Sequence, residues 1–124
     1  MSGTEKTVLT VENDQHVRKL LVDVVLFAGY RPLEAATSRE ALEIIHREQV
    51  DLILLDLNLP DINGQQLLRF IRKGGNTTPV IVISGFITKE VLQDILATGV
   101  SSAMTKPVDA NRLLATMRNV LRSS

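Results

Sequence analysis

Four short polar signatures each follow an apolar run in this sequence: Glu12-Asn13-Asp14 after Val8 to Val11, Asp56 after Leu52 to Leu55, Ser84 after Val80 to Ile83, and Lys106-Pro107 after Val100 to Thr105. A carboxylate accepts a phosphoryl group as an acyl phosphate when the developing charge is neutralised. Carboxylate and carbonyl oxygens suit Mg2+, which prefers oxygen ligands and keeps waters. A lysine adds a compact positive charge, and a serine hydroxyl can donate to a phosphate oxygen. Together the four signatures support phosphoryl transfer, provided the fold gathers them. Taken singly, each has a plainer reading: a strand-end carboxylate caps a helix or is solvated, and Ser before Gly makes a turn. For Asp14 the helix cap is the preferred reading.

The elements that must position these residues follow from periodicity. Strand-length apolar runs cover Thr7 to Val11, Arg31 to Ala36, Asp51 to Leu55 and Pro79 to Ile83, with a weaker fifth from Val100 to Thr105. Three are apolar nearly throughout, as strands covered on both faces must be, and belong in the sheet centre. Pro32 cannot donate to a ladder, so its run is an edge strand. Between the runs the period becomes helical. The stripes are Val17, Leu20, Leu21, Val24 and Ala28; Ala41, Ile44 and Ile45 after a Ser38 cap; Gly64, Leu67, Leu68 and Ile71; Val91, Leu92 and Ile95 after a Thr88 cap; and Leu113, Leu114, Met117 and Leu121 after an Asp109 cap. Five alternating strand and helix units predict an α/β doubly wound, five-stranded parallel sheet with five helices. In such sheets ligands bind beyond the carboxyl ends of the strands, the edge where all four signatures fall.

With 124 residues, 44% hydrophobic and 23% charged, the chain predicts one domain, residues 1–124, able to bury a core. Fourteen basic and fourteen acidic residues cancel, so nothing global draws it to nucleic acid or an anionic membrane. The absence of cysteine excludes a disulfide scaffold, thiol catalysis and a cysteine-held metal. The polar opening Met1-Ser-Gly-Thr-Glu-Lys6 carries no signal peptide or membrane span. The expectation is a soluble domain in the cytoplasm, and Leu121-Arg-Ser-Ser124 is a candidate tether to a further domain.

The signatures resemble the receiver domain of two-component response regulators, a CheY-like, flavodoxin-like fold with strand order 2-1-3-4-5. The resemblance rests on Val8-Leu-Thr-Val-Glu-Asn-Asp14 with Arg18, on Asp51-Leu-Ile-Leu-Leu-Asp-Leu-Asn-Leu-Pro-Asp-Ile-Asn-Gly64, on Pro79-Val-Ile-Val-Ile-Ser-Gly85 and on Thr105-Lys-Pro107. It spans essentially the whole chain. It implies that Asp56 is the phosphoacceptor, served by a sensor histidine kinase or a histidine phosphotransfer protein. Ser84 would bind a phosphoryl oxygen and Lys106 would pair with the phosphate. Glu12, Asn13 and Asp56 would hold Mg2+ with the backbone carbonyl of Asn58, and Pro107 would follow a cis peptide bond. The resemblance further implies a signalling domain whose catalysis is confined to its own phosphorylation and dephosphorylation. Its output would be a downstream effector protein or a fused output domain, docked around the fourth helix, fifth strand and fifth helix; a homodimer is compatible.

Two positions depart from the family pattern. Asn13 stands where an Asp usually binds the metal, so one negative charge is lost and weaker metal binding is expected. Ala103 stands where many members carry the Tyr or Phe that swings inward on phosphorylation. Both keep open a second reading, a degenerate receiver acting as a phosphorylation-independent interaction module. A haloacid-dehalogenase-type phosphatase fits poorly, because the position of its second Asp is Asn58 and its nucleophile would end the first strand. Elsewhere, His16 and His46 read as surface residues, and Arg112, Arg118 and Arg122 as a solvated helix face. Phe27, Tyr30 and Phe70 read as core or half-core, and Phe86 as a gate over Asp56 or as loop packing.

Overall fold

The computed structural model describes residues 5–123. In chain order the elements are β1 (Thr7–Val11), α1 (Gln15–Phe27), β2 (Arg31–Ala35), α2 (Ser38–Arg47), β3 (Leu52–Leu55), α3 (Gly64–Lys73), β4 (Val80–Ser84), α4 (Lys89–Thr98), β5 (Ser102–Thr105) and α5 (Ala110–Ser123). All strand pairs are parallel, and the order across the sheet is β2-β1-β3-β4-β5. β1, β3 and β4 form the centre, and β2, which carries Pro32, lies at an edge as expected.

The centre strands are buried at every position because helices cover both faces. Their side chains alternate between two cores. Val8, Leu52, Leu54, Ile81 and Ile83 pack with Leu21, Val24 and Val25 of α1 and with Leu113, Met117 and Leu121 of α5. Leu9, Val11, Ile53, Leu55, Val80 and Val82 pack on the other face with Ala41, Ile44, Leu67, Leu68, Ile71 and Ile95 of α2, α3 and α4.

Caps set where the helices begin. Asp14 Oδ1 accepts from the N–H groups of His16 and Val17, and Thr88 Oγ1 from Val91 N–H. Asp109 Oδ1 accepts from Arg112 N–H. The expected Ser38 cap is corrected: Thr37 caps α2, its hydroxyl accepting from Glu40 N–H. Ser38 is the first helical residue, fully buried, and its hydroxyl donates to the carbonyl of Ile62. After α1 the chain turns at Gly29 with φ of +88°, a conformation that side chains with Cβ rarely adopt.

Several burial expectations fail. Phe27 is 77% exposed and Phe70 64%, so neither is core, whereas Tyr30 is half-buried against the α1 and α5 side, as expected. Leu20 and Leu92 are also exposed, which narrows the apolar stripes of α1 and α4. β5 spans only Ser102–Thr105, shorter than the run that suggested it. Leu121 and Arg122 of the suggested tether belong to α5, whereas Ser124 lies outside the described residues, as do Met1 to Thr4 of the opening segment. His16 and His46 are exposed, and so are Arg112, Arg118 and Arg122.

Candidate functional site at the carboxyl edge of the sheet

Asp56 directly follows β3, and its backbone N–H donates to the carbonyl of Val11 in β1. That bond sets the acidic loop after β1 beside it. On the other side, Lys106 N–H donates to the carbonyl of Ser84, holding the ends of β4 and β5 in step. The Lys106–Pro107 peptide is cis. The β3–α3 loop then returns to Gly64, whose N–H donates to the carbonyl of Leu57.

This scaffold converges two of the expected side chains and one backbone N–H on the Asp56 carboxylate. Lys106 Nζ lies 3.1 Å from Oδ2 and Ser84 Oγ 3.3 Å from Oδ1, while Asn58 N–H donates to Oδ1 at 3.1 Å. Lys106 Nζ also stands 2.8 Å from Glu12 Oε1, an ion pair without the alignment of a hydrogen bond. Glu12 Oε2 accepts from Asp14 N–H at 2.9 Å. Asp56, Glu12 and Ser84 are each at most 4% exposed, so two carboxylates share one ammonium in a largely dry setting.

Burial pushes the Glu12 carboxyl above its ordinary pKa, and the nearby Asp56 charge adds to this. Lys106 and the Asp14 N–H pull the other way without winning. For Lys106, burial alone would lower the ammonium pKa, but Glu12 and Asp56 reverse it and hold it above its usual value. Asp14 is held below the carboxylate range, chiefly by the Val17 N–H at the start of α1. It therefore serves the helix and leaves the cluster one carboxylate short.

Asn13 is where structure and expectation part most. Its side chain is exposed, and Nδ2 donates to the carbonyl of Ala36, across the β2–α2 connection. Among the described residues no three His, Cys, Asp or Glu side chains form a metal-holding group. The donors that face the site are the carboxylate oxygens of Glu12 and Asp56. All are hard oxygens, and Mg2+ is commonly held by one or two carboxylates with several waters retained, so the set fits that ion. Phe86 is 80% exposed, which excludes the loop-packing reading.

Two features were not anticipated from the sequence. Arg18 Nη1 donates to the backbone carbonyls of Glu12 and Asn13, and its Nε pairs with Glu34 Oε1 at 3.2 Å. Asp61, in the loop after Asp56, accepts from the N–H groups of Ser38 and Arg39 at the start of α2. Its pKa falls to about 2: desolvation would raise it, but those N–H bonds override it. In the sequence Arg18 is marked only by its place in a motif, and Asp61 sits 23 residues from its first partner, so neither role has a local signal.

Five parallel strands in the order β2-β1-β3-β4-β5, with five helices, make the fold of a receiver-type signalling domain rather than of a classical enzyme family. Residues 8–118 match the response regulator receiver domain family, and the chain belongs to it. It is similar to a crystal structure of a CheY-like response regulator receiver domain protein from Methanospirillum hungatei JF-1, with a TM-score of 0.92 and 29% identity over 97% of this chain and 96% of that one. It is 27% identical to the polar-differentiation response regulator DivK of Brucella anthropi, covering 94% of this chain and 96% of DivK. A probable transcriptional regulatory protein of Picosynechococcus is 31% identical over 97% of this chain, which spans 51% of that protein's length. No helix among the described residues is long and apolar enough to cross a membrane.

Proposed function

We propose that the chain is a single receiver domain, acting in the cytoplasm, that takes a phosphoryl group on Asp56 from a phosphohistidine of a sensor histidine kinase or phosphotransfer protein. The observation that carries this reading is the grip on one buried carboxylate by Lys106 at 3.1 Å and Ser84 at 3.3 Å. In the transfer an Asp56 carboxylate oxygen forms the new P–O bond as the P–N bond to the donor imidazole breaks. The imidazole leaves with the electron pair and takes up a proton, and an acyl phosphate remains. Lys106 moves its ammonium from carboxylate to phosphoryl oxygen, and Ser84 turns its hydroxyl to a second one. Glu12 and Asp56 would hold Mg2+ with the Asn58 carbonyl, and the Asn13 amide oxygen would join them only on leaving its bond to Ala36; the ion when bound supplies charge neutralisation at the phosphoryl oxygens.

The output follows from the roots of Ser84 and Lys106, which end β4 and follow β5. A charge change at Asp56 pulls on both residues and thereby on α4, β5 and α5, the face assigned to the effector or output domain. Ala103 offers no aromatic ring to rotate, so coupling runs through the backbone link from Lys106 N–H to Ser84. Incubation with acetyl phosphate and Mg2+ followed by intact mass measurement tests the reading. A gain of one phosphoryl group, absent in Asp56→Asn, is the expected result. Retention of the gain in that variant overturns the assignment, and no gain in the wild type favours the phosphorylation-independent module.

A further inference from the structure

The loop that carries Glu12 and Asn13 is held from behind by a side chain that touches neither Asp56 nor Lys106. Arg18 lies one turn into α1, and its side chain is only 18% exposed. Its Nη1 donates to Glu12 O at 2.8 Å and to Asn13 O at 3.3 Å, and its Nε is fixed by Glu34 of β2. Glu12 N–H donates to the carbonyl of Ala35, beside Glu34. The peptide units that orient the Glu12 and Asn13 side chains are thus fastened to β2 and to α1.

We propose that Arg18 is a positioning residue for the phosphoryl-accepting site: its guanidinium sets the Glu12–Asn13 backbone so that the Glu12 carboxylate meets the cation and Lys106. The inference rests on the phosphoacceptor reading above. A planar fork with several donors suits this task, because it engages two carbonyls and a carboxylate together, whereas a lysine ammonium would swing to one of them. Coulomb effects alone predict the opposite behaviour. A positive charge behind the loop repels a divalent cation, so removing it would tighten cation binding if charge were all that Arg18 supplied.

The test compares wild type, Arg18→Gln and Arg18→Lys, each folded in full. Mg2+ is titrated while the amide shifts of Glu12, Asn13 and Asp56 are followed. Amide hydrogen exchange at Asp14, whose N–H is held by Glu12 Oε2, is measured without metal. The half-saturating Mg2+ concentration is expected to rise about tenfold in Arg18→Gln, as is typical when a residue that orients a ligand is lost. Arg18→Lys should fall between, although it keeps the charge. Asp14 exchange should quicken about tenfold in Arg18→Gln, the factor for a lost hydrogen bond to a charged group, with the Leu54 amide unchanged. Unchanged or tighter Mg2+ binding together with unchanged Asp14 exchange overturns the proposal. If the wild type neither responds to Mg2+ nor gains a phosphoryl group, the phosphoacceptor reading fails, and the Asp14 exchange still decides whether Arg18 orients the loop.

Discussion

Gly64 presses against the backbone of Asp56. A Cβ at Gly64 would stand 2.6 Å from the Asp56 carbonyl oxygen and 2.6 Å from Leu57 Cα, contacts that no side chain tolerates. The obstacle is backbone, so no rotamer change relieves it. Helix α3 begins against the peptide that carries the Asp56 carboxylate, and only a residue without Cβ allows that approach. Gly64→Ala should destabilise the fold by about 1–3 kcal/mol, the usual cost of overpacking. It should also slow labelling of Asp56 by acetyl phosphate. Urea denaturation and timed mass measurement check the two effects separately, and wild-type values in both would mean α3 yields freely.

The Asn13→Asp variant should restore the missing charge. Asn13 donates to the carbonyl of Ala36. An aspartate cannot donate and would be repelled by that oxygen, which frees it to turn toward Glu12 and Asp56. Mg2+ binding should tighten, while without metal the added charge beside Glu12, Asp14 and Asp56 should lower the melting temperature. A Mg2+ titration with amide shifts and a melt with and without the ion read both. Equal or weaker affinity would show that position 13 stays away from the cation.

Lys106→Met should leave Glu12 and Asp56 facing each other unpaired. Removing one partner of a buried ion pair costs about 3–5 kcal/mol, reduced here because Lys106 is partly exposed. Glu12 is raised above the carboxylate range even with Lys106 present. A raised carboxyl binds its proton more tightly in the folded state, so its contribution favours folding at low pH and is lost as pH rises through the folded pKa. Without Lys106 that pKa rises further. The deficit of the variant against wild type should therefore be largest at neutral pH and shrink as Glu12 takes up a proton. The raised Lys106 pKa gives wild type a second signature, because the stability it contributes persists below the ordinary lysine value and disappears as pH climbs through the raised one. Denaturation midpoints across pH, for both proteins, check this, and a deficit independent of pH would exclude Glu12 as the proton acceptor.

Thr10, fully buried in β1, has a hydroxyl oxygen without a hydrogen-bond partner. Thr10→Val removes the unsatisfied group at nearly constant shape. It should stabilise the protein by about 1 kcal/mol, the lower end of the cost of such a group. A loss of stability in thermal melts would point to an unseen partner for that hydroxyl.

The sheet and most of the site were legible because both follow from short-range pattern. Apolar runs such as Leu52 to Leu55 reveal strands covered on both faces, and Asp56, Ser84 and Lys106 sit next to such runs. The misread residues depend on what lies across space. Helical spacing gives the direction of a stripe but not its width, so Phe27 and Phe70 read as inward although they are largely exposed. Thr37 and Ser38 are both competent caps, and the choice is made by the distant Ile62 carbonyl, which engages the Ser38 hydroxyl. The orientation of Asn13 likewise depends on the carbonyl of Ala36, 23 residues on.

Pro32 bears on how copies of this chain meet one another. A sheet edge with free N–H and C=O groups is a template for adding foreign strands, and an open sheet has two such edges. On β2 the missing donor of Pro32 interrupts the row, and the exposed Arg31 and Glu34 flank it with charge. The opposite edge, β5, offers only the four residues Ser102–Thr105. Growth by strand addition is thus blunted at both borders, and self-association is left to helix surfaces, where it can remain finite and reversible instead of propagating as a fibre.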